Sequence, residues 1–252
     1  MKTERRINCV LVAAGRFHDI DFARLELLKL LAEDERVRVR VFEDYSNLEA
    51  LAAADFLVTY TCDVMPSLKE QEALRAFLDG GGRWYALHGT NSILRYLPNG
   101  RVDSPRWAPH FMETMGSMFI AHPPVAPYPV TVAQPDHPLV KGVEPFEAND
   151  ELYLMETYGE LDVFLETEFG GDAKGFAEDD WPTAKHPVFY LRPQGAGGVL
   201  YLTLGHCRGH YDMQPAIAYY PHVERGSWDL PVYYDLLRRG LAWAKAPAAG
   251  ED

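Results

Sequence analysis

Basic residues are in short supply in this chain. Lys and Arg number 24 against 37 Asp and Glu, a net charge of −13 over 252 residues. No basic cluster is available to track a phosphate backbone, so no nucleic-acid partner is expected. The acidic surplus reads as a solvated surface. Cysteine is scarce too. Cys9, Cys62 and Cys207 form neither a closely spaced metal pair nor an even disulfide set. The expectation is three free thiols in a reducing, cytoplasmic setting. No apolar run approaches the length of a membrane span, and no membrane partner is expected. The opening "KTERR" and "INCVLVAAG" have the charge order of a short signal peptide. The apolar part is brief, holds Asn8 and runs into a helical pattern without a linker, so it reads as a buried first strand. Internal repeats and low-complexity linkers are also missing. One domain over 1–246 is expected, with "PAAGED" at 247–252 as a flexible tail. The oligomeric state stays open, a homo-oligomer included.

What is present is a strand–helix alternation. "INCVLVAAG" (7–15) is a continuous apolar run bounded by Gly, as in a strand covered on both faces. Phe22, Leu25, Leu28 and Leu31 then recur three apart, predicting one apolar helix face. "VRVRVFED" (37–44) alternates and suits a strand near the sheet edge. "DFLVTYTC" (55–62) and "RWYALHG" (83–89) read as further strands. Ser46 with Glu49, and Ser67 with Glu70, have the S-x-x-E spacing of capping boxes, and the second helix runs out at Gly80-Gly81-Gly82. Such alternation implies a parallel sheet with right-handed crossovers and ligands beyond the carboxyl ends of its strands.

After Asn91 the pattern changes. Residues 98–130 are rich in Pro, Met and aromatics and are expected to be an irregular insertion. Met112, Met115 and Met118 recur every third residue and read as core packing. Strands are predicted at 128–133 and 162–169, a hairpin across Gln194–Gly197 and a closing helix at 233–246.

Polar groups collect at strand ends. His88 ends the fourth strand and His206 the last hairpin arm; His18 and Asp19 follow the first strand; Asp150 and Glu151 sit between apolar residues in "FEANDELYLM". Two imidazoles and a carboxylate suit general acid–base work or a divalent metal. Plainer readings stand beside this. His88 alone is as readily a structural histidine, and Asp19 a helix cap. Asp150 or Glu151 would cap a turn. His122 and His137 each precede Pro and would fix loop geometry, while His110, His186, His210 and His222 fall in apparent loops. Cys207 beside His206 suggests a nucleophile pair, but adjacent strand residues point to opposite faces.

The sequence resembles the ThuA-like, or trehalose-utilisation, family, whose fold is that of class I glutamine amidotransferases. The resemblance is carried by "GRFHD", "DGGGRWYALHGTNS", "MGSMFIAHPP", "DHPLVKGVEPFEANDELYLME", "GGVLYLTLGH" and "LLRRGLAWA". The segment "PHVERGSW" (221–228) fits less well and reads as an insertion. The resemblance implies a flavodoxin-like, three-layer α/β sandwich with a mainly parallel sheet. In amidotransferases the fourth strand ends in a cysteine elbow; here His88 stands in its place, which argues against glutamine hydrolysis. His206 resembles the partner histidine. Carbohydrate metabolism is implied, with a 3-keto sugar or glycoside as substrate. A 3-keto group acidifies the C2–H, so a base could start β-elimination of the C1 oxygen or an isomerisation. The expected roles are catalysis or metal ligation for His88, His206 and Glu151, and substrate binding for His18, Asp19, Asp150, Tyr153 and His122. Tyr85 joins them by location only. Trp107, Phe111, Trp181 and Trp228 are candidate sugar-stacking rings. The one cofactor expected is a divalent metal. Two alternatives remain: a non-catalytic sugar-binding or assembly module, and a hydrolase or amidotransferase using Cys207.

Overall fold

The computed structural model describes residues 5–214, 218 and 220–246; the tail expected at 247–252 lies outside them. The first half alternates as the sequence requires: β1 (Ile7–Gly15), α1 (Ile20–Leu31), β2 (Val37–Phe42), α2 (Leu48–Ala52), β3 (Phe56–Cys62), α3 (Leu68–Asp79) and β4 (Arg83–Leu87). The four strands are parallel in the order β2-β1-β3-β4. Every residue of β3 is buried, while β2 alternates between half-buried and exposed and forms the sheet edge.

Two local readings need correction. The buried face of α1 is Ala23, Leu27, Leu30 and Leu31, and Leu25 is exposed. Steps of three residues drift by about 60° each around a helix, so four in a row leave one face; the observed spacing of four, three and one does not. The cap of α2 is Asn47, whose side chain accepts from the Ala50 N–H. Ser46 instead turns back to Asp44, through its backbone N–H and its hydroxyl. The Ser67–Glu70 box does form, and α3 ends at Gly80.

Beyond β4 the chain makes a short 3-10 turn, His88–Asn91, then β5 (Arg95–Tyr96), β6 (Val102–Asp103), α4 (Pro109–Met115), β7 (Ser117–Ala121), β8 (Ala126–Val132), β9 (Phe146–Asp150), β10 (Leu154–Thr157), β11 (Asp162–Asp172), β12 (Asp180–Gln194), β13 (Gly197–Leu202) and α5 (Pro231–Lys245). The stretch 98–130 is therefore not structureless: it holds β6, α4 and β7. Met112, Met115 and Met118 are all buried.

The main sheet runs β2-β1-β3-β4-β13-β12-β11-β8-β9. β13 joins β4 in parallel, and from β12 onward each neighbour is antiparallel. The sheet is thus mixed rather than mainly parallel. The cause is the tight β12–β13 hairpin, which places an antiparallel strand beside β13 where a crossover helix would have given a parallel one. Helices pack on both sides of β4. Trp84 and Tyr85 point to opposite sides of β4: Trp84 packs on Phe111 of α4, and Tyr85 lies against Gly240 of α5.

Candidate active site

The carboxyl ends of β1, β4 and β13, with the end of β9, meet in one place. β1 stops at Gly15 (φ +123°), where a Cβ would stand 2.0 Å from the Cys62 carbonyl oxygen. Only glycine fits, and the chain turns at once through Phe17 to bring His18 over the sheet. β4 stops at Leu87, and His88 takes φ +44°, a left-handed conformation that costs a non-glycine residue free energy. The next residue must be Gly89, whose Cβ would lie 2.6 Å from the Thr61 carbonyl oxygen. The strand ends on His-Gly because histidine is pushed into the crevice while glycine lets the backbone pass β3.

The result is a buried cluster of His18, His88, Glu151 and His206, whose candidate donor atoms all lie within 4.8 Å of one another. His88 Nε2 is 2.8 Å from His18 Nε2 and 3.4 Å from Glu151 Oε2. His18 Nε2 is 3.7 Å from the same oxygen, and His206 Nδ1 is 3.1 Å from Glu151 Oε1.

The far side of each ring fixes its tautomer. His88 Nδ1 donates to the Thr203 carbonyl at 2.8 Å, and His18 Nδ1 to the Arg16 carbonyl at 3.1 Å. A carbonyl can only accept, so in the neutral rings both Nε2 atoms carry bare lone pairs. Those lone pairs face each other. His206 Nε2 is bonded to Glu224 Oε2 at 2.6 Å, and its buried Nδ1 has no hydrogen-bond partner.

Electrostatics follow from burial and neighbours. Burial pushes the His18 ring down to about 4, so it is neutral near pH 7. Burial pushes Glu151 up, but His122, His206 and His18 outweigh it and hold the carboxyl well below its usual range. Burial also works against a charged His206, yet Glu151 and Glu224 raise it to about 9. One carboxylate among four imidazoles is therefore ionised, a set suited to holding a cation or passing protons.

The other expected residues divide. Tyr153 belongs to the cluster, its hydroxyl 3.3 Å from His88 Nε2. His122 faces it, with Nε2 3.6 Å from Glu151 Oε1 and Nδ1 donating to the Pro123 carbonyl at 2.7 Å. Asp150 is not free for substrate. Oδ1 accepts from the Glu151 and His206 N–H groups, and Oδ2 from those of Gly205 and Ser227, at 2.8–3.1 Å. Four backbone donors use its acceptor capacity, making it a brace between β9, the β13 exit and the turn before α5. Asp19 caps α1 through Phe22 N–H and pairs with Arg225 at 3.1 Å. Tyr85 is sealed in the core, donating to the Leu236 carbonyl. Of the candidate stacking rings, Phe111 and Trp228 are core and Trp181 lies out on the β11–β12 ribbon; Trp107 is exposed, over Arg95. His186 lies buried on β12 rather than in a loop.

Two residues escaped the sequence. Glu224 orients His206, and Arg208 joins Glu224 at 2.9 Å and stands 3.8 Å from Glu151. They meet through a single antiparallel bridge, Arg208↔Glu224. An isolated bridge leaves no periodicity to read. The segment 221–228, expected to be an insertion, supplies both Glu224 and the Ser227 N–H held by Asp150.

The fold and the cluster describe an α/β protein with a histidine–carboxylate centre at its strand tips. The family model for ThuA, trehalose utilisation, matches residues 9–226, and the chain belongs to that family. No curated protein matches the chain. Among solved structures, a ThuA-like protein from Bacteroides uniformis is 16% identical, with TM-score 0.66 over 97% of this chain and 94% of that one. One from Parabacteroides merdae is 17% identical, with TM-score 0.62 over 98% and 93%. The family match reaches through 226 and so takes in Glu224.

Proposed function

We propose that this protein is an enzyme of carbohydrate metabolism that acts on a keto sugar or its glycoside, by elimination, isomerisation or hydrolysis, with His18, His88, Glu151 and His206 holding a divalent metal ion. The scaffold on this reading is related to that of class I glutamine amidotransferases, with His88 where their cysteine stands. The carrying observation is the pair of bare Nε2 atoms 2.8 Å apart. Two acceptors repel at that distance unless a cation or a shared proton lies between them. Donors about 2.1 Å from one ion stand about 3 to 3.5 Å apart, close to the gaps found here. Carbonyl and carboxylate partners on the outer ring nitrogens are the usual means of orienting metal-binding imidazoles.

A bound divalent ion would supply the electrophile for a developing sugar oxyanion. The chain's own groups supply the rest. Thr203, Arg16 and Glu224 fix the three rings. His122 Nε2 lies beside the cluster, 3.6 Å from Glu151 Oε1, within reach of a carbon next to a ketone bound there. Burial raises the Tyr153 hydroxyl well above its ordinary value, so it stays a phenol with a proton to donate. The carbohydrate assignment is supported by the family's description, trehalose utilisation. A Cys207 nucleophile loses support: burial pushes its thiol up to about 12, and Sγ lies against the Tyr60 hydroxyl and the Asp19 carbonyl.

The test is turnover of 3-keto glucosides by protein as purified, after chelation, and after return of divalent metal. Loss on chelation with recovery on metal addition is expected. Full turnover by metal-free protein would overturn the metal assignment, and no turnover of any keto sugar would overturn the reaction class.

A further inference from the structure

The proposed chemistry uses the His88 ring but not the polar groups that lie behind its backbone. His88 opens the four-residue 3-10 turn, His88–Asn91, with φ +44°. A non-glycine residue stays in that conformation only where contacts hold it there. On the ring the contact is the Thr203 carbonyl. On the backbone it is Tyr201 of β13. The Tyr201 hydroxyl shares its one proton between the His88 carbonyl and Asn91 Oδ1, the latter at 2.7 Å. One phenol therefore ties the first residue of the turn to the last.

The tie is anchored on the far side of Asn91. Asn91 Nδ2 donates to Ser117 Oγ of β7 at 2.7 Å. Ser117 Oγ is 2.7 Å from the Tyr190 hydroxyl of β12, which donates to the Met115 carbonyl of α4 at 3.0 Å. Tyr201, Asn91, Ser117 and Tyr190 are all fully buried, and none of them belongs to the His–Glu cluster. Filling this volume needs no polar atoms. Phenylalanine at 190 and 201 with apolar residues at 91 and 117 would fill it without desolvating a hydroxyl or an amide. What the polar atoms add is direction. The line they form ends on the carbonyl of the residue whose Nε2 stands 2.8 Å from that of His18.

We propose that Tyr201 and Asn91 are positioning residues that clamp the His88 turn in its left-handed form and so aim His88 Nε2 at His18 and Glu151. This rests on the reading of the cluster as a metal centre and deepens it, because the geometry of that centre is then set by two residues outside it.

Tyr201→Phe tests the clamp, since it removes one hydroxyl and leaves the ring. Tyr85→Phe is the comparison. Tyr85 is equally buried, and its hydroxyl donates to the Leu236 carbonyl of α5 at 3.2 Å. Two measurements are made on each variant. In metal-free protein carrying isotope-labelled histidine, NMR follows solvent exchange of the His88 Nδ1 proton, assigned by its loss in His88→Gln. Calorimetry then gives the affinity for Zn2+. Tyr201→Phe should speed the exchange and weaken Zn2+ binding, each by about tenfold. Tyr85→Phe should leave both as in the wild type. Ser117→Ala removes the anchor of Asn91 and should move both in the same direction by less; it decides the matter if Tyr201→Phe does not fold. Unchanged exchange in Tyr201→Phe and Ser117→Ala would overturn the clamp. Equal changes in Tyr201→Phe and Tyr85→Phe would overturn it too. Wild-type protein that binds no Zn2+ would sink the metal reading, and the exchange measurement would still judge the clamp.

Discussion

At the amino-terminal ends of the parallel strands, charges meet in partly exposed pairs. Arg5 pairs with Asp55, and Asp34 takes Arg36 and Lys245, each at 3.0 Å. At the carboxyl ends the same strands deliver His18, His88 and His206 with side chains 4%, 0% and 0% exposed, around a Glu151 carboxylate 6% exposed. Such partly exposed pairs contribute about 0–1 kcal/mol each and demand little of the fold. A buried carboxylate among imidazoles is costly by desolvation unless something occupies the centre. The carboxyl end also holds His88 and Phe17 in left-handed conformations. Among the described residues, non-glycine backbone at positive φ and the buried His–Glu cluster fall at the carboxyl end, which is the end the proposed function uses.

The largest expected effect is on catalysis. His88→Gln and His206→Gln should each lower keto-glucoside turnover by about 10²–10⁴ with little change in thermal midpoint. The double variant should lose little more than the worse single, as groups sharing one step do. Additive losses would separate the two rings and weaken the single-centre account.

Next comes the geometry that aims the rings. Gly15→Ala places a methyl into the Cys62 carbonyl and forces alanine to φ +123°. A loss of about 2–4 kcal/mol in urea unfolding is expected. A neutral result would mean that the β1 turn is not fixed as described. Asp150→Asn should cost about 1.5–3 kcal/mol, because one of two oxygens accepting buried backbone N–H groups becomes a donor. It should also loosen the β13 exit and reduce turnover.

The smallest effect lies at the opposite end. Arg36, then Lys245, hold the Asp34 carboxyl below its usual range. A depressed carboxylate contributes stability that is full above the unfolded value of about 3.9 and fades as pH falls below it. Asp34→Asn should therefore cost at most about 1 kcal/mol near pH 7, and the difference from wild type should vanish in acid. A gap that widens below pH 4 would contradict the sign.

Much of this comparison was legible in the sequence. β1, β3 and β4 announce themselves as apolar runs cut off by polar or glycine punctuation, and His88, His206, Glu151 and His18 stand at the cuts. Strand ends could be read because burial on both faces leaves no charged residue beyond the first position of each strand. What escaped depends on short or aperiodic pieces. α4 is seven residues long and β9 five, too brief for a period to emerge. The antiparallel half of the sheet followed from a hairpin seen correctly but not placed beside β4. Asp150 and Glu151 look equivalent in sequence, yet one is consumed by backbone donors and the other faces the cluster, a difference that alternation along an extended chain produces. Glu224 sits in a segment with no pattern and acts through a single bridge.

Metal stoichiometry of the purified protein tests the central claim most directly. Elemental analysis should find about one divalent metal ion per wild-type chain, and sharply less in His18→Gln, His88→Gln, Glu151→Gln and His206→Gln, with Tyr96→Ala retaining it. Wild-type protein that turns over keto glucosides without metal, or cluster variants that retain full metal content, would show that the four residues do not form a metal centre.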